Sequence, residues 1–113
     1  MPRQNALAAA IPFPVGHSIQ RLGSNLRIAR LRRNLSIETV AARIGTSRRV
    51  ISDAERGKPS TGLMIYAALL WAYGLLQHLD EVAAPERDQE GLTLASLGER
   101  LRARKDGALD DDF

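Results

Sequence analysis

The chain contains no cysteine among its 113 residues, which excludes disulfides, thiolate nucleophiles and zinc sites built on cysteine. Its two histidines, His17 and His78, are isolated from each other and from any spaced set of metal ligands or catalytic partners. No glycine-rich phosphate loop occurs, and the acidic run at residues 110–112 lacks the fixed geometry of a metal site. We therefore expect no enzyme activity, no metal and no cofactor.

Aromatic residues and long apolar runs are also scarce. Aromatic residues make up only 4% of the chain, and none lies beside the arginines as a base-stacking platform for RNA would require. The longest uncharged run, residues 59–77, is apolar over a stretch shorter than the roughly 20 residues of a membrane span, and it predicts a buried helix instead. Pro12 and Pro14 interrupt the apolar N-terminal residues, which favours a flexible arm over a signal peptide. Together with the lack of cysteine, these features predict a cytoplasmic protein.

Charge is distributed unevenly along the chain, although the formal net charge is only +3. Residues 19–58 contain ten Lys and Arg against three Asp and Glu, whereas residues 59–113 contain five against ten. This asymmetry suggests a module that faces a polyanion, followed by a separate acidic region. Solvated helix faces of different sign would explain the charges equally well.

Apolar periodicity predicts five short helices and no strand. We expect them at about residues 20–33, 37–44, 48–56, 62–73 and 75–82. The predicted fold class is therefore all-α, a compact five-helix domain over residues 19–84. A flexible N-terminal arm precedes it at residues 1–18. Residues 85–113 follow as a polar linker, an amphipathic segment at residues 92–104 and an acidic tail that we expect to be disordered.

Capping residues mark the boundaries of these helices. Ser36 and Ser47 are suited to begin the second and third helices, and Ser60 or Thr61 to begin the fourth. Asn34 and Gly45 tolerate the left-handed conformation that ends the first and second helices. Gly23 is an internal weak point of the first.

The segment at residues 22–57, LGSNLRIARLRRNLSIETVAARIGTSRRVISDAERG, resembles the helix-turn-helix domain of the Xre family, which includes the lambdoid Cro and repressor proteins. The elements that carry the resemblance are Leu22-Gly23, Leu26-Arg27, Arg30, Leu35-Ser36, Val40-Ala41, Gly45, Ser47, Ile51-Ser52 and Glu55-Arg56-Gly57. The resemblance extends over about residues 22–79 and implies a lambda-repressor-like domain. In that fold the helix at residues 48–56 enters the DNA major groove while the helix at residues 37–44 crosses the backbone.

The resemblance assigns the main base-reading positions to Arg48, Arg49 and Asp53, with Ser52 nearby. Independently, an arginine fork at the exposed start of a helix fits O6 and N7 of guanine, a pairing worth ~1–3 kcal/mol of discrimination. Asp53 could accept from a cytosine amino group. We favour a role in orienting Arg49 through an ion pair one turn along the helix, because a bare carboxylate near phosphates is unfavourable.

Other positions are expected to hold the protein on the DNA backbone or to stabilise the domain. Phosphate contacts are expected from Arg27, Arg43, Ser47 and Lys58, and from the amides that begin the second and fourth helices. Ile37 occupies a phosphate-contacting position where many relatives carry glutamine, so that contact is lost. Ile37 is then left to form a small apolar patch or to touch a thymine methyl. Arg30 and Glu55 resemble the family's internal salt bridge, and we prefer this interpretation to two unrelated surface charges.

Family members usually bind pseudo-palindromic DNA as two-fold dimers whose half-sites are about 34 Å apart. The surplus apolar residues in the second half of the domain form the candidate homodimer interface: Trp71, Tyr73, Leu75, Leu76 and Leu79. The alternative is that Trp71 and Leu75 complete the monomer core.

Two functions follow. The first is a sequence-specific DNA-binding transcriptional regulator, a dimeric and nucleoid-associated repressor acting on a palindromic double-stranded operator. The second rests on a looser resemblance of the C-terminal third to HipB-like antitoxins. In that case Asp110, Asp111, Asp112 and Phe113 bind a HipA-like kinase toxin, and DNA binding autoregulates the operon. The tail could instead be solubilising, or it could contact the protein's own basic helices.

Overall fold

Helices make up most of residues 5–110, the part of the chain that this computed structural model describes, with side chains described for residues 5–107. No strand occurs within this range, so the predicted all-α class is confirmed. Seven α-helices and one 3-10 turn are found there instead of five helices. They are α1 (Ala6–Ala9), α2 (Phe13–Arg32), α3 (Ile37–Ile44), α4 (Arg48–Glu55), α5 (Leu63–Ala72), α6 (Gln77–Asp80), the 3-10 turn Pro85–Arg87 and α7 (Gln89–Asp110).

The caps of α3 and α4 agree with the sequence prediction. The Ser36 hydroxyl accepts a hydrogen bond from the Thr39 N–H at 3.1 Å, and the Ser47 hydroxyl accepts one from the Val50 N–H at 3.3 Å. Gly45 ends α3 with a φ of 78°, a left-handed conformation that costs glycine little. These three residues fix the limits of both helices to within one residue of the prediction.

The start of α2 was wrongly predicted. The helix begins at Phe13 rather than near Gln20, with Pro12 as its N-cap and Pro14 in its first turn. Proline breaks a helix interior but suits a first turn, where its missing N–H has no partner to lose. Residues 13–18, assigned to a flexible arm from the sequence, are therefore helical, as is α1 within the same arm.

The beginning of α5 and the extent of α6 also differ from the prediction. Gly62 is the N-cap of α5, so neither Ser60 nor Thr61 caps it. The helix expected over residues 75–82 is reduced to the single turn of α6. Gly74 and Ala83, with φ values of 72° and 56°, lie on either side of it, and these left-handed residues limit its length.

The chain divides between Leu79 and Asp80 into two compact units. In the first unit the largest fully buried side chains are Leu26, Val40, Ile51 and Leu69. They come from α2, α3, α4 and α5 respectively. Each of the four helices therefore contributes one of these buried side chains to a shared core.

The second unit contains the 3-10 turn and α7. The Asp88 carboxylate accepts a hydrogen bond from the Gly91 N–H at 2.9 Å and caps the start of α7. The helix then runs for 22 residues to Asp110, so the part of the tail before residue 111 is helical rather than disordered. Its Leu, Ala, Arg and Lys residues favour a helix. None of the described helices is both long and apolar enough to cross a membrane.

Candidate nucleic-acid interface

The two helices α3 and α4 are joined by a short turn whose geometry is set by backbone hydrogen bonds. The N–H groups of Gly45 and Thr46 both donate to the Ala41 carbonyl, at 2.9 and 3.0 Å. Val40 and Ala41 of α3 are buried in one core cluster with Ile51 of α4. This packing fixes the angle at which α4 leaves the turn, and it directs the opposite face of α4 outward.

Close contact between α2 and α4 depends on Gly23. From the sequence this residue was identified only as a weak point of the first helix, and the contact was not predicted. A Cβ atom at Gly23 would collide with the Ala54 carbonyl oxygen and would lie 2.7 Å from the Glu55 carbonyl oxygen. Gly57 has a φ of 73°, and a Cβ there would lie 2.5 Å from Gln20 Cα. A glycine inside a helical pattern is a recognised sign of such packing.

The structure brings Arg30 of α2 and Glu55 of α4 together as a two-pronged ion pair. Arg30 Nε donates to Glu55 Oε2 at 2.7 Å, and Arg30 Nη2 donates to Glu55 Oε1 at 3.0 Å. A third donor of the same guanidinium, Nη1, lies 2.9 Å from the Leu35 carbonyl oxygen, just before α3. The two residues are only 7% and 8% exposed, and hydrogen bonding to the Glu55 carboxylate, which accepts from the guanidinium, holds the pKa of Arg30 above its ordinary value. One buried guanidinium thus connects α2, the segment leading into α3, and the end of α4.

Tyr73 lies behind this pair, in the core of the domain. It is 4% exposed, and burial raises the pKa of its hydroxyl to about 12. The Arg33 guanidinium covers its ring at 5.8 Å from the centroid. Tyr73 is therefore a core residue, and its expected place in a dimer interface is wrong.

Arg48 and Arg49 occupy the first two positions of α4, and both are exposed. Arg48 forms an ion pair with Glu38 of α3, with Nη1 2.9 Å from Oε1. Among the described residues Arg49 has no ion-pair partner. Both arginines thus project from the same turn, but only Arg49 has a guanidinium without a carboxylate beside it. The role of Glu38 was missed because apolar periodicity carries no information about pairing between two exposed charges.

Asp53 does not orient Arg49. Its carboxylate accepts a hydrogen bond from Arg56 Nη2 at 2.6 Å, and Lys58 Nζ lies 3.5 Å from the other oxygen. The hydrogen bond from Arg56, assisted by the charge of Lys58, lowers the pKa of Asp53. The side chain is only 15% exposed, and Ser52 beside it is half-buried, so neither is as exposed as we expected. The two cations just beyond α4 lie closer to this carboxylate than Arg49 does.

The residues expected to contact phosphates lie on several elements of the first unit. Four of these residues are exposed: Arg27 on α2, Arg43 on α3, Ser47 at the turn and Lys58 after α4. Ile37 is half-buried and packs against the core, which accounts for an apolar residue at the start of α3.

The residues expected in the dimer interface differ in how exposed they are. Trp71 is 62% exposed on α5, whereas Leu75 packs against the core. Leu76 and Leu79 are half-buried. The alternative, that Trp71 and Leu75 complete the monomer core, is therefore correct for Leu75 and wrong for Trp71. In the expected partner-binding tail, Asp110 ends α7 with its side chain undescribed, and Asp111, Asp112 and Phe113 lie outside the described residues.

Comparison with known proteins agrees with this arrangement. A family described as "Helix-turn-helix domain" matches residues 21–84, more than half of the chain, and the match includes all of α3, the turn, α4 and α5. Searches of curated proteins and of solved structures gave no match. With two capped helices joined through Gly45 and a matched segment that spans them, the chain belongs to the helix-turn-helix domain family and carries a DNA-binding domain.

Proposed function

We propose that the protein is a sequence-specific transcriptional regulator of the Xre type, a dimeric repressor that inserts α4 into the major groove of a palindromic operator. The observation that carries this proposal is the pair of exposed arginines, Arg48 and Arg49, at the first turn of α4. The buried Arg30–Glu55 pair holds that helix at its other end. A recognition helix needs both features, exposed donors at its start and a fixed orientation.

Base recognition in this proposal falls mainly to Arg49. Its guanidinium has no carboxylate partner among the described residues, so it can donate to O6 and N7 of a guanine without first breaking an ion pair. Arg48 would exchange Glu38 for a base or a phosphate. Because the Arg48–Glu38 pair is exposed, breaking it costs at most ~1 kcal/mol.

Backbone contacts would position the domain along the groove. Arg27, Arg43 and Lys58 supply cations, and the Ser47 hydroxyl supplies a hydrogen bond near the start of α4. Such contacts carry no sequence information but contribute much of the affinity, and they weaken as salt rises. Asp53 is compatible with this surface because Arg56 and Lys58 neutralise its carboxylate.

Dimerisation would place two copies of α4 in successive turns of the groove. Trp71, which is largely exposed, is the main contact that we propose, together with the half-buried Leu76 and Leu79. Leu75 packs against the core and contributes less. Large exposed aromatic side chains are common at protein interfaces. A two-fold dimer then requires half-sites related by the same symmetry.

The alternative role, neutralising a HipA-like kinase toxin, depends on Asp110, Asp111, Asp112 and Phe113, none of whose side chains is among those described. We favour the repressor because its residues occupy defined positions around α4.

Selection of bound duplexes from a random pool by the full-length chain tests this function. We expect an enriched palindrome with half-sites about 10–10.5 base pairs apart, centre to centre. Trp71→Ser, at a largely exposed position, is expected to enrich the same half-site as a single copy. An unenriched pool would contradict sequence recognition, and a single asymmetric site for the unsubstituted chain would contradict the dimer.

A further inference from the structure

α7 carries three leucines on one exposed face. Leu94, Leu97 and Leu101 are 59%, 52% and 57% exposed, and their spacing of three and four residues places them on the same side of the helix. Single exposed leucines are ordinary, but a continuous row of them indicates a binding surface.

Opposite charges lie at the two ends of this leucine face. Glu90 is four residues before Leu94, and Lys105 is four residues after Leu101, so both belong to the same face. Both side chains are exposed. The order along the face is therefore Glu90, Leu94, Leu97 with Gly98, Leu101 and Lys105.

The positions on this face are symmetric about the bond between Leu97 and Gly98. The two outer leucines are equally far from that bond, and so are the two charges, each roughly 11 Å away at 1.5 Å per residue. A second α7 that runs in the opposite direction would therefore place its Leu101 opposite Leu94 and its Lys105 opposite Glu90.

We propose that α7 binds α7 of a second copy of this chain in antiparallel orientation, with the two-fold axis at Leu97–Gly98. Leu94 packs on Leu101 of the second copy, and Glu90 pairs with its Lys105; both contacts occur twice. Gly98, whose missing side chain has open space around it, leaves room for Leu97 of the second copy. A parallel pair would instead bring Glu90 against Glu90 and Lys105 against Lys105, so the charges select the antiparallel orientation.

This surface belongs to a different segment of the chain from α4 and Trp71. It lies beyond residues 21–84, which the helix-turn-helix family matches, and it requires no DNA. The contact uses the same patch on both copies, so it closes on itself and joins two chains. The proposal therefore goes beyond DNA binding and assigns α7 as a second self-association surface.

Charge exchange in the full-length chain tests the antiparallel contact, measured by sedimentation equilibrium. The variants are made in a Trp71→Ser background, so that the proposed contact at Trp71 does not hide the contact at α7. Glu90→Lys alone and Lys105→Glu alone each place like charges together at both ends of the pair. Each should weaken self-association on the order of tenfold, since two exposed pairs change from attraction to repulsion.

Two combinations should restore association. The double variant Glu90→Lys/Lys105→Glu recovers the attraction at both ends, and an equimolar mixture of the two single variants should associate about as strongly as the unexchanged chain. Glu99→Lys is the matched control, because Glu99 lies two residues from both Leu97 and Leu101 and therefore on the opposite face. It should leave the dissociation constant unchanged.

Three results would overturn the proposal. The Trp71→Ser chain could remain monomeric at every concentration tested, which would leave α7 without a self-association role. The single variants could associate as strongly as the unexchanged chain, as a parallel pair would allow. The mixture could fail to associate although each single variant is helical by circular dichroism. A monomeric Trp71→Ser chain beside a dimeric unsubstituted chain would overturn the α7 contact and support the dimer proposed for DNA binding. A Trp71→Ser chain that associates as strongly as the unsubstituted chain would contradict the contact at Trp71 and leave the α7 contact standing, so the two proposals fail separately.

Discussion

At the scale of single residues, the buried Arg30–Glu55 pair restrains the orientation of α4 against α2. Its bidentate geometry restrains α4 in two directions, and burial keeps both side chains away from competing water and salt. The exposed Arg48–Glu38 pair has neither property. A guanidinium paired with a carboxylate therefore has a structural role in the buried Arg30–Glu55 pair, whereas in the exposed Arg48–Glu38 pair it is a contact that can be exchanged.

Substituting Glu55→Gln should reduce the free energy of unfolding by about 3–5 kcal/mol, because Arg30 would remain buried without a countercharge. Urea denaturation measures this loss. Glu38→Gln is the control: it breaks an exposed pair and should cost less than about 1 kcal/mol. Equal costs for the two variants would show that burial does not distinguish the pairs.

Pairing partners were only partly predictable from the sequence. Arg30 with Glu55 followed from the resemblance to a family in which that pair recurs, since a separation of 25 residues leaves no local signal. Asp53 had three cations within reach along the chain, Arg49, Arg56 and Lys58. Because α4 ends at Glu55 and Gly57 has a left-handed conformation, Arg56 and Lys58 contact the Asp53 carboxylate and Arg49 does not. Apolar periodicity does not predict such backbone detail.

At the scale of helices, the approach of α2 to α4 determines how the DNA-binding motif is built on the domain. Gly23 lets the backbones meet where Ala54 and Glu55 end α4. The limits of α3 and α4 were predictable because Ser36, Gly45 and Ser47 have local reasons to cap helices. The start of α2 and the length of α7 were not. In a sequence, a proline in the first turn of a helix looks the same as a proline that breaks a helix, and a charged C-terminal segment looks the same as a disordered tail.

Substituting Gly23→Ala should reduce the free energy of unfolding by about 1–3 kcal/mol, since the added methyl group forces two packed backbones apart. Gly16→Ala in the same helix is the matched control. A Cβ there has ordinary contact only, 3.8 Å from Ile11 Cγ2, so it should stabilise the helix by roughly 0.5–1 kcal/mol. Thermal denaturation distinguishes the two. Stabilisation by both alanines would mean that Gly23 is not a point of close packing.

At the scale of the whole molecule, positive and negative charges are concentrated in different parts of the chain. The basic residues 19–58 include most of α2 and all of α3 and α4, where the proposed DNA contacts lie, whereas the acidic residues 59–113 include α5, α6, the 3-10 turn and α7. Composition alone left open whether the asymmetry was functional. The exposed positions of Arg48 and Arg49 at the start of α4 support the DNA-binding role that we propose for the positive part.

Base discrimination by Arg49 tests the central claim most directly. Fluorescence anisotropy at one salt concentration would compare the selected operator with the same duplex after substitution of the guanine expected to face Arg49. Arg49→Ala should reduce the difference in binding free energy between the two duplexes by ~1–3 kcal/mol. Arg43→Ala, at an expected phosphate contact, should weaken both duplexes equally and leave the difference unchanged. If Arg49→Ala also weakened both duplexes equally, α4 would not be reading bases through Arg49, and the central claim would be wrong.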